Sequence, residues 1–157
     1  MLTRSIAAAV GVVMFAGVVH SVLAAGSDKS EPAFKMYAAF KCAIYAEMAG
    51  QEEEKMRLFQ LGYASGKQFL AALRSDNPPE RNDMPTIVLL LLAGPIVSDD
   101  FILGRIFSDA NQSVFDKIVK EDENGFLQEP QDWNMSDERQ KIRAEKFFSG
   151  ANCRLIA

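Results

Sequence analysis

Histidine is all but missing from this chain: of 157 residues only His20 is one, and it lies in an N-terminal stretch that reads as removable. A mature form without histidine excludes Ser-His-Asp and Cys-His catalytic sites, a histidine zinc site and a histidine pH switch together. Cysteine is nearly as scarce. Cys42 and Cys153 are the only two and form no C-x-x-C motif, and two thiols are too few for a zinc site. Runs of basic residues are missing as well, whereas acidic runs occur at Glu52-Glu53-Glu54 and Glu121-Asp122-Glu123. That balance argues against a nucleic-acid or anionic-lipid binder.

No apolar run is long enough to span a membrane comfortably. Residues 6–19 are apolar or glycine throughout, and as a helix they would cover roughly 21 Å of a hydrocarbon layer about 30 Å thick. Arg4 before them and Val22-Leu23-Ala24 after them give the layout of a secretory signal peptide, with cleavage expected after Ala24 or Ala25. No cysteine follows the run to carry a lipid. The expected organisation is a signal peptide at 1–24, a flexible leader at 25–30 and a single helical domain at 31–157. The mature chain then has 16 basic and 21 acidic residues, a formal charge of −5. The expected location is the periplasm or the outside of a bacterial cell. In such an oxidising compartment Cys42 and Cys153 are expected to pair. Closing a loop of about 110 residues is worth about 4 to 5 kcal/mol in the chain-entropy treatment.

The remaining pattern is helical, and the fold class expected is all-α: a compact bundle of four or five helices with one disulfide. The first helix starts at Glu31-Pro32 and stops at Gly50, with Phe34, Tyr37, Lys41, Ile44, Tyr45 and Met48 on the face expected to be buried. A second helix over about 51–73 carries its acidic triplet at the N-terminal end, where the helix dipole favours it. Its seam is Met56, Phe59, Tyr63, Gly66, Leu70 and Leu73, with Gly62, Ala64, Ser65 and Gly66 making a small-residue centre suited to a tight helix crossing. Residues 75–83 read as a loop, and 87–93, between Pro85 and Gly94-Pro95, as a short buried central helix. Ser98 caps a fourth helix running to about Lys120, lined by Leu103, Ile106, Phe107, Ala110, Val114 and Ile118. The last helix runs from Ser136 to Gly150, with Ile142, Glu145 and Phe148 on one face, and leaves Cys153 in an extended tail. The second and fourth helices are the expected central pair.

Near-motifs do not survive inspection. Gly62-Tyr63-Ala64-Ser65-Gly66-Lys67-Gln68 has three residues between its glycines where a phosphate loop needs four, and Gln68 stands where that loop needs Ser or Thr. Carboxylates are plentiful, and Glu47 with Glu54 or Asp99 with Asp100 could serve acid and base roles, but no spacing selects a pair. The acidic stretch at 121–124 lacks the alternating ligands of an EF-hand. No catalytic residue, metal ligand or cofactor is therefore nominated. The functional expectation is a non-enzymatic binding protein of the envelope or periplasm, engaging another protein as an inhibitor, immunity or adaptor type. A carboxylate-dependent hydrolase or lyase is the rival, and a binder of a small apolar ligand between helices the third reading. The candidate partner-binding residues are Phe126, Leu127, Trp133 and Met135, in an aromatic and acidic connection a little long for joining two helices. Trp133 is either a core lid or an exposed anchor.

Overall fold

The computed structural model describes residues 30–93 and 98–157. The signal peptide expected at 1–24, nearly all of the leader, and the Gly94-Pro95 stop lie outside the described residues. Among the described residues there are five α-helices: α1 (Glu31–Met48), α2 (Glu52–Leu73), α3 (Thr86–Leu92), α4 (Asp99–Phe115) and α5 (Asp137–Gly150). None is long and apolar enough to cross a membrane. Each starts or stops where local chemistry directs. Pro32 occupies the first turn of α1, where its missing N–H is no loss. Gly50 adopts φ +72°, turning the chain back so that Gln51 N–H reaches the Ala46 carbonyl at 2.8 Å. The Ser98 hydroxyl accepts from Phe101 N–H at the start of α4.

α1 and α2 form an antiparallel hairpin whose crossing is set by two glycines. A Cβ on Gly62 would stand 2.6 Å from Phe40 Cδ1, and one on Gly66 would meet Leu103 and the Met36 sulfur. The small-residue centre of α2 is therefore a tight crossing, as its sequence indicated. It is filled by Phe40, Met36 and Leu103. α4 lays Ile102, Leu103, Ile106, Ala110 and Val114 into the same core, then continues through one π-helical turn over Asp116–Lys120 that buries Ile118 and Val119. α5 adds Ala144 and Phe148.

Several expectations need correcting. The hub is α1, which packs along α2 and also meets α4 and α5, whereas α2 and α4 touch only briefly. Of the expected stripe Ile44 and Tyr45 are buried, whereas Phe34, Tyr37, Lys41 and Met48 are not, and the innermost positions are Ala33, Met36, Ala39, Phe40, Ala43 and Ala46, one step round. Alanines let backbones approach, while Tyr37 and Lys41 carry polar tips that stay near water. On α2 the expected Gly66 and Leu70 are buried and Leu73 packs against the core, joined by Leu58, Gly62, Ser65 and Phe69, whereas the expected Met56, Phe59 and Tyr63 remain exposed. α3 is not a buried central helix: only Val88 is buried and Leu90 is 65% exposed. Ile142 and Glu145 on α5 face outward, leaving Phe148 as the buried member of that trio.

The expected disulfide between Cys42 and Cys153 is present, with the two Cα atoms 5.5 Å apart. Cys153 does not lie in an extended tail but in a 3-10 turn over Cys153–Leu155, entered through Asn152 in the left-handed region. Arg57 of α2 donates to the carbonyls of Ile156 (2.8 Å) and Cys153 (3.2 Å). The C-terminus is thus tied to both α1 and α2, covalently and by hydrogen bonds.

Candidate functional site

The connection between α4 and α5 is a built structure. Glu121 and Leu127 form an antiparallel bridge, and Gln128 N–H reaches the Lys120 carbonyl at 2.8 Å. Inside that turn the Asp122 carboxylate accepts from Asn124 N–H (2.8 Å) and Phe126 N–H (2.9 Å), while Gly125 takes φ +84°. Those N–H donors hold the Asp122 carboxyl below the usual carboxylate range. The acidic stretch therefore acts as a turn nucleator. Beneath it, Arg143 of α5 gathers three carbonyls, those of Glu121 (2.6 Å), Lys117 (2.8 Å) and Asp122 (3.2 Å). These are carbonyls freed where the helix ends, so a single guanidinium fixes the exit of the loop.

Of the four nominated residues, three point outward and one points in. Phe126, Leu127 and Met135 are 70%, 74% and 66% exposed. Trp133 is partly buried against the core, its indole N–H donates to the Gln128 carbonyl at 3.1 Å, and the Lys120 ammonium sits 5.2 Å from its ring. Trp133 is a lid, and it holds the loop from which the other three project. From 121 to 138 the chain has seven acidic residues and neither lysine nor arginine. The projecting apolar side chains are thus set in a negative surround.

The carboxylates weighed for acid and base work are each drawn to a different cation. Glu47 pairs with Lys55 (3.1 Å), and Glu54 with Arg57 (2.8 Å). Asp99 pairs with Arg74, while Asp100 pairs with Lys67 (2.6 Å) and accepts from the Tyr63 hydroxyl (2.7 Å). Hydrogen bonds from these partners hold Glu54, Asp99 and Asp100 below the usual carboxylate range, the opposite of what a general acid requires.

A second feature was missed at the sequence level. Between α1, α5 and the C-terminal tail runs a groove of about 560 Å³, walled by Phe34, Tyr37, Tyr45, Phe147 and Ile156, with Cys42 of the disulfide in its lining. Tyr45 and Phe147 stack with centroids 5.7 Å apart. Burial raises both tyrosines, Tyr45 to about 12, and Tyr37 to about 12 with further help from its hydrogen bond to Asp109. Among the described residues, the charged ones lining the groove are Lys41 and Lys117. Of the face of α1 expected to be core, Phe34, Tyr37, Lys41 and Tyr45 line it. The signal lay in the composition of that face, since aromatic rings with polar tips alternating with lysine suit a half-wet wall.

No protein-family model, curated protein or solved structure matches the chain.

Proposed function

We propose that this is an exported, non-enzymatic binding protein of the cell envelope or periplasm that engages another protein through the 121–135 loop. Phe126, Leu127 and Met135 are the contact residues of that reading, and Trp133 is the lid that positions them. The observation that carries it is three apolar side chains, each about two-thirds or more exposed, on a loop already held by Arg143, Trp133 and Asp122. Large exposed apolar groups set among polar ones mark contact surfaces. A pre-ordered loop also loses little conformational entropy on docking, which favours tight association. The acidic surround calls for a partner with an apolar pocket and a basic rim, and it makes the association rate fall as salt rises.

Export rests on the N-terminal pattern together with the disulfide, a bond that persists in oxidising compartments. Intact-mass measurement of the protein from its native envelope is expected to show loss of the first 24 or 25 residues. Recovery of the full-length mass would overturn the export reading.

The partner reading is tested by comparing Phe126→Asp/Leu127→Asp with Trp133→Ala. The double variant removes no buried contact, so it should unfold within about 0.5 kcal/mol of wild type yet fail to retain the protein captured by wild type from the envelope. Trp133→Ala removes a partly buried ring and one hydrogen bond and should lose about 2 kcal/mol. A double variant that retains the wild-type partner at unchanged affinity would sink the reading.

A further inference from the structure

We infer that the groove between α1 and α5 is a binding site for an amphipathic anion, an alkyl carboxylate of medium chain length. Its chain would lie along Phe34, Tyr45 and Phe147, and its headgroup would meet Lys41 and Lys117. The groove's lining contains no residue of the 121–135 loop, although Glu121 at the start of that loop lies 3.9 Å from Lys117.

Size, wall and charge all point to this ligand. The groove's roughly 560 Å³ falls in the range of about 300 to 1,000 Å³ typical of small-molecule sites. Its wall is mostly apolar and aromatic, suited to an alkyl chain. Charge selects the headgroup. Among the described residues no carboxylate comes within ion-pair distance of Lys41, and the ion pair that Lys117 makes with Glu121 is long, at 3.9 Å. Both ammoniums instead sit near aromatic rings of the wall, Lys41 5.8 Å from the Tyr37 centroid and Lys117 5.1 Å from that of Phe147. Asp109, the other nearby acid, already accepts from the Tyr37 hydroxyl at 2.9 Å. Burial, and then repulsion from Lys117, hold the Lys41 ammonium below its ordinary range, against a weaker opposing pull from Asp109 and Glu121. A carboxylate between the two lysines would offset both effects, whereas a neutral ligand would leave that repulsion only partly offset by Asp109 and Glu121. A single soluble headgroup is favoured over a membrane surface because the seven acids at 121–138 and the net charge of the chain repel anionic bilayers.

The rigidity of the site supports the same conclusion. The disulfide lies in its lining, and Arg57 holds the Ile156 carbonyl, so the tail that closes one side of the groove is fixed before any ligand arrives. Little ordering would then be needed on binding.

The test is a titration of the disulfide-bonded protein with decanoate, decan-1-ol and decyltrimethylammonium, followed by photolabelling with a diazirine-bearing decanoate. Decanoate should bind saturably and roughly ten-fold more tightly than the alcohol, as two half-exposed ammoniums allow, with the cationic probe weakest. The label should fall on peptides containing Phe34, Tyr45 or Phe147. Lys41→Gln/Lys117→Gln should abolish the preference for decanoate over decanol without lowering the melting temperature. Equal affinity for the three probes, absence of saturable decanoate binding, labelling confined to residues 6–19, or a double variant that keeps the preference would each overturn the assignment. So would binding to anionic vesicles without binding to free decanoate.

Discussion

On the side of α1 that meets α2 and α4, Ala33, Met36, Ala39, Phe40 and Ala43 are almost wholly out of water, and two glycines of α2 admit the Phe40 and Met36 side chains. On the side that meets α5, Phe34 is 51% exposed, Tyr37 and Lys41 are half-buried, and a groove remains. One helix thus presents two kinds of surface. Small residues let the backbones of α1 and α2 approach until nothing is left between them, and the interior reaches ordinary packing density. Toward α5, the Tyr45–Phe147 stack and the buried Ala144 and Phe148 make the contact, the disulfide ties the tail beyond α5 to α1, and an open groove remains alongside. The difference places the close-packed surface on one side of the helix and the open groove on the other.

The sharpest way to break that comparison is to truncate one phenylalanine on each side. Phe40 is 1% exposed and makes ring contacts with Phe59 (5.9 Å) and Phe107 (5.3 Å). Phe40→Ala should lose about 3 to 5 kcal/mol, the range for aromatic truncation in a core that cannot collapse onto the cavity. Phe34→Ala removes a ring that is already half in water and should lose about 1 kcal/mol or less. Urea unfolding of the two variants checks this. Equal losses would mean that α5 seals the groove side as tightly as α2 seals the other.

The sequence made most of the fold legible and much of its orientation illegible. Helix limits were readable because they depend on local chemistry: Pro32, Gly50 and Ser98 act within one turn of where they stand. The disulfide was readable from two thiols and an export pattern. The buried face of α1 was legible only in part: Ile44 and Tyr45 are buried as expected, but Phe34 and Tyr37 give a stronger hydrophobic stripe than the more deeply buried Ala33, Ala39 and Ala43. Burial depth here follows how closely a backbone can approach, which hydrophobicity does not measure. The place of α3 was misread for a related reason. A run of six apolar residues, Ile87-Val88-Leu89-Leu90-Leu91-Leu92, reads as core from composition, but α1 already occupies the centre and leaves only Val88 fully covered. Of the loop residues, Phe126, Leu127 and Met135 are exposed as a contact surface requires, while Trp133 takes the lid position. Of the groove only its α1 wall left a trace in the composition, since the site joins residues of α1, α5 and the tail that no local spacing brings together.

The smallest expected effect concerns the two sides at the level of a single methyl group, and there the sign as well as the size should differ. Gly62 lies where α2 meets α1, and a Cβ there would stand 2.6 Å and 2.8 Å from Phe40 Cδ1 and Cε1. The ring has nowhere to go, because Phe107 meets it edge-on and Phe59 lies close beside it. Overpacking of this kind costs about 1 to 3 kcal/mol, and the gain in helix propensity from replacing glycine returns about 1 kcal/mol. Gly62→Ala should therefore be destabilising by about 1 kcal/mol. Gly104 also lies inside a helix, α4, but a Cβ there would meet nothing within 4 Å, and its backbone φ is not in the left-handed region. Gly104→Ala should be stabilising by about 0.5 to 1 kcal/mol, since only the propensity gain remains. Chemical denaturation of both variants with the slope held common gives the comparison directly. Stabilisation by both would show that the Phe40 ring has space to move, and the α1–α2 crossing would then owe its closeness to something other than the absence of a side chain at position 62.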